Sequence, residues 1–380
     1  MEKTKLQRLY ELMNKVGGMP LSEVDWEGEF ADVKQKCLNV EEFKDYLNKV
    51  LENYRLPTHK RKKLPLYVHN KTIPFDEEGE IDVQSFINKI TEKPKSIVVG
   101  GNIKMQKSAG DDFYTVSIGI PAFRGLVYDL ENKTFHVVNT CPGAGTCVTP
   151  CYGRRGRFVL LTDVYLKQTK VLNWLLNYPE EFKKNLKEEI ITLYKKNLKK
   201  GKSEMRFRWN ETGDFFSEKY FQIGVDIMKE LVEEGYLVKP YAHTKIADIY
   251  NLKRSPDFIV SFSVDATPKE VQKMDLEKAK TSEIVDRKHF KDLFVLEKNK
   301  YVFDDKGKPK FKDPINGENI LKKRIADAFN VDIKTLLSHD EMLNTPESDT
   351  PKYNVFILPQ GETDISTQRK DIMRTFFLEH

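Results

Sequence analysis

Leu6, Leu9, Tyr10, Leu12 and Met13 recur at helical spacing and stop at Gly17-Gly18. Asn39, with Glu42 three residues on, can cap a second helix carrying Phe43, Tyr46, Leu47, Val50 and Leu51, and a third is predicted from Asp82 to Thr91, before Pro94. Residues 1–94 therefore read as an N-terminal helical cap. From Ser96 the period becomes that of strands, over Ile97 to Gly101 and Tyr114 to Ile120. A hairpin follows, Gly125 to Leu130 and Thr134 to Asn139, turned at Glu131-Asn132-Lys133. Helix and strand then alternate: helices over Thr162 to Asn177 and from Pro179, strand Met205 to Trp209, helix Glu218 to Glu234, strand Leu237 to His243, a short helical piece, and strand Phe258 to Val264. Such repetition implies a parallel sheet, so the fold class is α/β, a partial or complete parallel α/β barrel with its core in residues 95–284. Residues 285–380 are more polar. Helix Asn319 to Phe329, loop Asn344 to Lys352, strand Tyr353 to Leu358 and a C-terminal helix from Ser366 read as an α+β extension that completes or lids the core.

Composition agrees with a packed protein. A hydrophobic share of 39% that includes 23 Phe and 16 Tyr can fill the core of a 380-residue chain. No run approaches the roughly 18 uncharged apolar residues of a membrane span, and Met1 to Lys5 leads into a charged amphipathic pattern rather than a signal peptide. The chain thus reads as soluble and cytoplasmic, with no membrane partner; its oligomeric state is left open. Net charge is +5, from 63 Lys and Arg against 58 Asp and Glu, so nucleic-acid binding is permitted without being demanded. The lysine runs at His59 to Lys63 and Lys195 to Lys200 read as solvated charge. Only four cysteines occur, three of them within eleven residues, which excludes a secreted disulfide framework. Cys37, alone in a helical pattern, reads as a small buried hydrophobe.

The other three cysteines carry the candidate chemistry, in Cys141-Pro-Gly-Ala-Gly-Thr-Cys147-Val-Thr-Pro-Cys151-Tyr152. Small residues and prolines let a short loop fold around a compact centre and offer backbone N–H groups to sulfur. Three thiolates can hold three irons of a [4Fe–4S] cluster and leave the fourth open; zinc is the alternative and wants a fourth protein ligand, for which His136, His243 and Asp214 are candidates. Directly behind the loop, Arg154, Arg155 and Arg157 read either as a solvated loop or as phosphate contacts. Three successive strands end in polar residues, where a parallel sheet presents its ligand crevice. These ends supply Arg206, Arg208, Asn210, Glu211, Gly213 and Asp214, then His243 and Lys245, then Ser263 and Asp265. Asp214, Glu211, His243 and Lys245 are the catalytic candidates; Gly213, Asp214, Arg206 and Ser263 are the cofactor-binding ones; Arg208 joins the phosphate contacts. Asp214 has the rival reading of a helix cap.

Gly101-Asn102-Ile103-Lys104, the cysteine loop, the strand end from Arg206 to Gly213-Asp214, Tyr241 to Lys245 and Phe262-Ser263 together resemble, over residues 95–270, the bacteriophage "gene product eighty-eight" family. The resemblance implies a phage or mobile-element origin, hence the cytoplasm of an infected host, and no particular reaction. Residues 354–380 lack the further cysteines that members of that family often carry. A weaker likeness is to radical S-adenosylmethionine enzymes, which place three cysteines after an early strand of a partial barrel; their spacing is three then two residues, against five then three here. That likeness implies that Gly213-Asp214 contacts the amino acid part of S-adenosylmethionine. The leading expectation is an iron–sulfur enzyme acting on nucleic acid or nucleotide. The alternatives are a zinc-containing nucleic-acid-binding protein without catalysis, and a barrel base transglycosylase with Asp214 or Asp265 as nucleophile and a structural metal.

Overall fold

The computed structural model describes residues 37–62, 64, 66–100, 112–149, 151–154, 156–305, 307–359 and 364–379. The helix predicted around Leu6 to Met13 lies outside these residues. The first described helix, α1 (Val40–Arg55), starts at the expected capping box. Asn39 Oδ1 accepts from the Glu42 N–H at 2.8 Å, and the Glu42 carboxylate accepts from the Asn39 N–H at 2.9 Å. Its buried stripe of Phe43, Leu47 and Val50 turns inward, with Phe43 stacked on Phe135 at 3.7 Å between ring centroids. Helix α2 (Val83–Thr91) is capped by Asp82, whose Oδ1 accepts from the Ser85 N–H at 2.9 Å.

Cys37 lies on a short strand rather than on a helix. Strand β1 (Cys37–Leu38) pairs antiparallel with β4 (Thr134–Asn139), which forms the predicted hairpin with β3 (Arg124–Asp129). The long sheet begins with β2 (Phe113–Ser117). It continues through β5 (Glu204–Trp209), β6 (Val238–Thr244), β7 (Ile259–Ser263) and β8 (Thr281–Val285). Three strands from the last hundred residues join it, β11 (Leu336–Ser338), β12 (Tyr353–Ile357) and β13 (Ile372–Leu378). The order is β11-β12-β13-β8-β7-β6-β5-β2, and every pairing is parallel. A two-stranded ribbon, β9 (Leu296–Glu297) and β10 (Lys300–Tyr301), stands apart from it.

Helices fill the connections as a parallel sheet requires. They are α3 (Thr162–Asn177) and α4 (Pro179–Leu198) before β5, then α5 (Glu218–Glu233), α6 (Ala247–Asn251), α7 (Pro268–Gln272), α8 (Gly317–Phe329) and α9 (His339–Leu343). Met205, Phe207 and Trp209 are fully buried in the main hydrophobic core. The opposite face of the sheet is polar: register puts Ser117 beside Arg208, Arg208 beside Tyr241, His243 beside Ser261, Ser263 beside Ser282, and Ser282 beside Thr375. A 3₁₀ turn (Asp364–Gln368) packs on that polar face. Arg206 donates to Gln368 Oε1 at 2.9 Å, and the Ser366 and Thr375 hydroxyls lie 3.3 Å apart.

Two expectations are corrected. The segment from Ser366 is no helix: the turn gives way to β13, inserted between β8 and β12, where the β-branched and aromatic run Ile372 to Leu378 meets a partner on each side. Ile97 to Gly100 forms no strand; Val99 makes one antiparallel bridge to Ser117, and Gly101 lies outside the described residues. No described helix is long and apolar enough to cross a membrane.

Candidate functional site

Strand β4 delivers the chain to the cysteine loop, whose path is set by backbone contacts. The Gly145 N–H donates to the Asp265 carbonyl at 3.0 Å, the Gly143 carbonyl accepts from the Thr267 N–H at 2.9 Å, and Ala144 bridges Ala266 between them. The loop is thereby stitched across the end of β7. Only glycine fits at the two flanking positions, because a Cβ on Gly143 would enter the Lys245 carbonyl and one on Gly145 the carbonyls of Asp265 and Ala266. The Phe123 N–H donates to Cys141 Sγ at 3.3 Å from a left-handed backbone, φ 72°, a conformation a bulky side chain adopts only when its surroundings hold it there.

Beneath this loop lies a cavity of about 330 Å³ at the carboxyl ends of the parallel strands. Cys141, Cys147 and Cys151 all line it, each as a free thiol. So do Arg208, Asn210, Glu211, Gly213, His243, Lys245, Ser263 and Asp265, with Arg154 on the loop side. Burial pushes the Cys141 thiol up to about 12, with the Asp214 charge adding and Lys245 opposing; burial also raises Cys147. Burial acts to lower Lys245, but Coulombic coupling to Cys147, Asp214, Cys141 and Cys151 outweighs that and holds the ammonium above its ordinary range. One buried cation thus sits in the field of all three sulfurs.

The convergence expected of three successive strand ends is present, with a different membership. Asp214 is fully buried and engaged: Oδ1 accepts from the Phe215 N–H at 2.7 Å and Oδ2 from the Lys245 N–H at 2.9 Å, tying the end of β5 to the end of β6. The cap of α5 is Ser217 instead. Gly213, at φ 79°, packs so closely on Ile120 that a Cβ would overlap that side chain. Arg206 lies away from the cavity, held by Glu204 at 2.7 Å and Gln368 at 2.9 Å and stacked over Phe113. His136 is buried within the hairpin, 3.0 Å from Thr134 Oγ1 and 3.9 Å from Asp129. His243 lines the cavity with Nδ1 3.1 Å from Ser282 Oγ. Arg155 and the Arg157 side chain lie outside the description.

Several lining residues carried no signal in the sequence. Phe123 precedes the hairpin, Ser282, Glu283 and Phe377 come from β8 and β13, which the hydrophobic pattern did not reveal, and Glu379 follows β13. Tyr152 was readable only as the aromatic after the third cysteine; its hydroxyl donates to the Glu211 carbonyl and ties the loop to the end of β5. Among the described residues, no three His, Cys, Asp or Glu side chains are drawn together as a metal-ligand set.

No curated protein and no solved structure matches the chain. A family model does, that described as Gene product 88, over residues 95–328, a longer span than the motifs alone marked out. Because that match takes in more than half of the chain, including the cysteine loop and the ends of β5, β6 and β7, the protein belongs to the Gene product 88 family of bacteriophage proteins.

Proposed function

We propose that this chain is an iron–sulfur enzyme acting on nucleic acid or nucleotide, its cluster held by Cys141, Cys147 and Cys151. The observation that carries the reading is that three thiols of one short loop open on one cavity at the carboxyl ends of a parallel sheet. Of the residues that could supply a fourth protein ligand, His136 is held within the hairpin and Asp214 by two backbone N–H groups, while His243 lines the cavity with its Nδ1 beside Ser282. A three-thiolate donor set suits a [4Fe–4S] cluster with one open iron better than a closed zinc site. When bound, such a cluster supplies one-electron redox chemistry and an open coordination position for a small molecule, S-adenosylmethionine being the candidate.

The chain's own residues would do the rest. Lys245 offsets thiolate charge in a buried place, the Phe123 N–H supports the Cys141 sulfur, and Arg154, stacked at 4.7 Å over the Phe123 ring, brings a guanidinium to the cavity for substrate phosphate. Among the described residues the thiols are not gathered as a ligand set, so binding requires their side chains to turn toward one centre. The transglycosylase reading loses support, since Asp214 is spent on the backbone and Asp265 accepts from Thr146 and from the Ile284 N–H.

The test is metal content and visible absorption of protein purified without oxygen, beside a Cys147→Ala variant. The expected result is about four irons per chain with broad visible absorption, both lost in the variant. One zinc per colourless chain, or colour retained in Cys147→Ala, overturns the reading.

A further inference from the structure

Hydrogen-bond accounting around the cavity leaves a donor over. The carboxylates that line it are engaged: Glu211 Oε2 accepts from Ser117 Oγ at 3.1 Å, Asp265 from Thr146 Oγ1 at 3.2 Å and the Ile284 N–H at 2.9 Å, and Glu379 from the Arg287 N–H at 3.3 Å, while Glu283 lies 3.6 Å from the Arg374 guanidinium. Burial raises the Asp265 and Glu283 carboxyls above their ordinary values.

Asn210 is the opposite case. Its Oδ1 accepts from the Tyr220 hydroxyl at 2.7 Å. Its Nδ2 has no hydrogen-bond partner, although the residue is only 5% exposed. A buried amide donor left unmet is costly, and native proteins keep few of them. The backbone there is left-handed, φ 53°, a conformation asparagine tolerates better than most residues and one that brings it to the cavity wall where β5 ends. Two residues earlier on the same face, Arg208 is 6% exposed and lines the same wall. A guanidinium carries five donors, enough to hold a neighbour and a ligand together. The hydroxyls of Ser263 and Ser282, on β7 and β8, line the same cavity two and three strands further along the sheet.

We propose that Asn210 and Arg208 form an oxyanion subsite of the cavity, receiving the carboxylate or phosphate of an acceptor-rich small molecule beneath the cysteine loop. The proposal rests on the preceding reading only in taking the cavity as the reaction site. It does not depend on which metal the cysteines hold.

The test uses the full chain, with iron measured in every preparation. Inorganic phosphate and acetate are titrated separately at constant ionic strength while binding heat and melting temperature are followed. Saturable binding of at least one probe is expected, weakened roughly tenfold or more by Asn210→Asp and by Arg208→Gln. Arg206→Gln, whose parent side chain is engaged with Glu204 and Gln368, should bind as the parent does. Binding of phosphate alone assigns a phosphorylated ligand, and binding of acetate alone a carboxylate. Absence of saturable binding to both probes overturns the subsite, as does parental affinity in Asn210→Asp; should that variant not fold, parental affinity in Arg208→Gln decides equally. Anion binding by a chain that holds no iron overturns the cluster reading and leaves the subsite standing.

Discussion

A methyl group at Gly145 would meet the carbonyls of Asp265 and Ala266, two backbone groups that cannot swing aside. Gly145→Ala should therefore lift the cysteine loop off β7, cost about 1–3 kcal/mol and lower iron uptake, whereas Gly100→Ala, which meets only Val116 at 3.8 Å, should change neither. Denaturant melts with iron assays on the two variants check this; equal behaviour would mean the loop is not held as described. Lys280 makes a second argument from a single side chain. Its Nζ donates to the carbonyls of Arg369 and Ile372, and burial lowers it from 10.5 to about 7, against the attraction of Asp371 and Glu347. A neutral amine has two N–H groups for those two carbonyls. With the folded value below the unfolded one, the native state binds fewer protons between about pH 7 and 10.5, so stability from this residue rises with pH across that window, at most ~1.4 kcal/mol per pH unit, and is flat below it. Urea melts at pH 7, 8 and 9 should show the parent gaining on Lys280→Met; parallel curves would refute the assignment.

At the scale of elements, β13 has the most influence for its length. It joins β8 to β12 and brings Phe377, Leu378 and Glu379 to the cavity, while Phe376, fully buried, turns to the other face against Phe329 at 4.7 Å between ring centroids. Phe376→Ala should cost about 3–5 kcal/mol by leaving a void in the second core cluster, read as a drop in denaturation midpoint with unchanged slope. A loss below 1 kcal/mol would place Phe376 outside a packed core. The hairpin of β3 and β4 works differently. Its pairing with β1 and its contact with α1 and α3 make a rigid arm whose end is Cys141.

At the scale of the whole molecule eight strands form the long sheet, and the family match ends before three of them. Residues 95–328 include β2 and β5 to β8 and omit β11, β12 and β13. Expressed alone, that segment would present β8 as an unpaired parallel edge and open the cavity where Phe377 to Glu379 stood. We expect it to give no cooperative melt by circular dichroism while the full chain does; a cooperative melt of residues 95–328 would show that the last three strands are dispensable to the core.

Local chemistry determined much of this protein without help from the fold. The capping box at Asn39 and Glu42, Pro179 at a first helical turn, the hairpin turn at Glu131 to Lys133 and the β5-α5-β6 alternation are short-range signals, and each element stands where its residues put it. The cysteine loop was legible for the same reason, since its small residues and spacing lie within one stretch. Tertiary structure alone decided the rest. Whether Asp214 caps a helix, faces a ligand or ties two strands depends on Lys245, thirty-one residues away. Whether Ile372 to Leu378 is helix or strand depends on β8 and β12, because so short a segment takes its conformation from the backbone groups beside it. The polar face of the sheet, and with it the unmet amide of Asn210, exists only once strands far apart in the chain are brought into register.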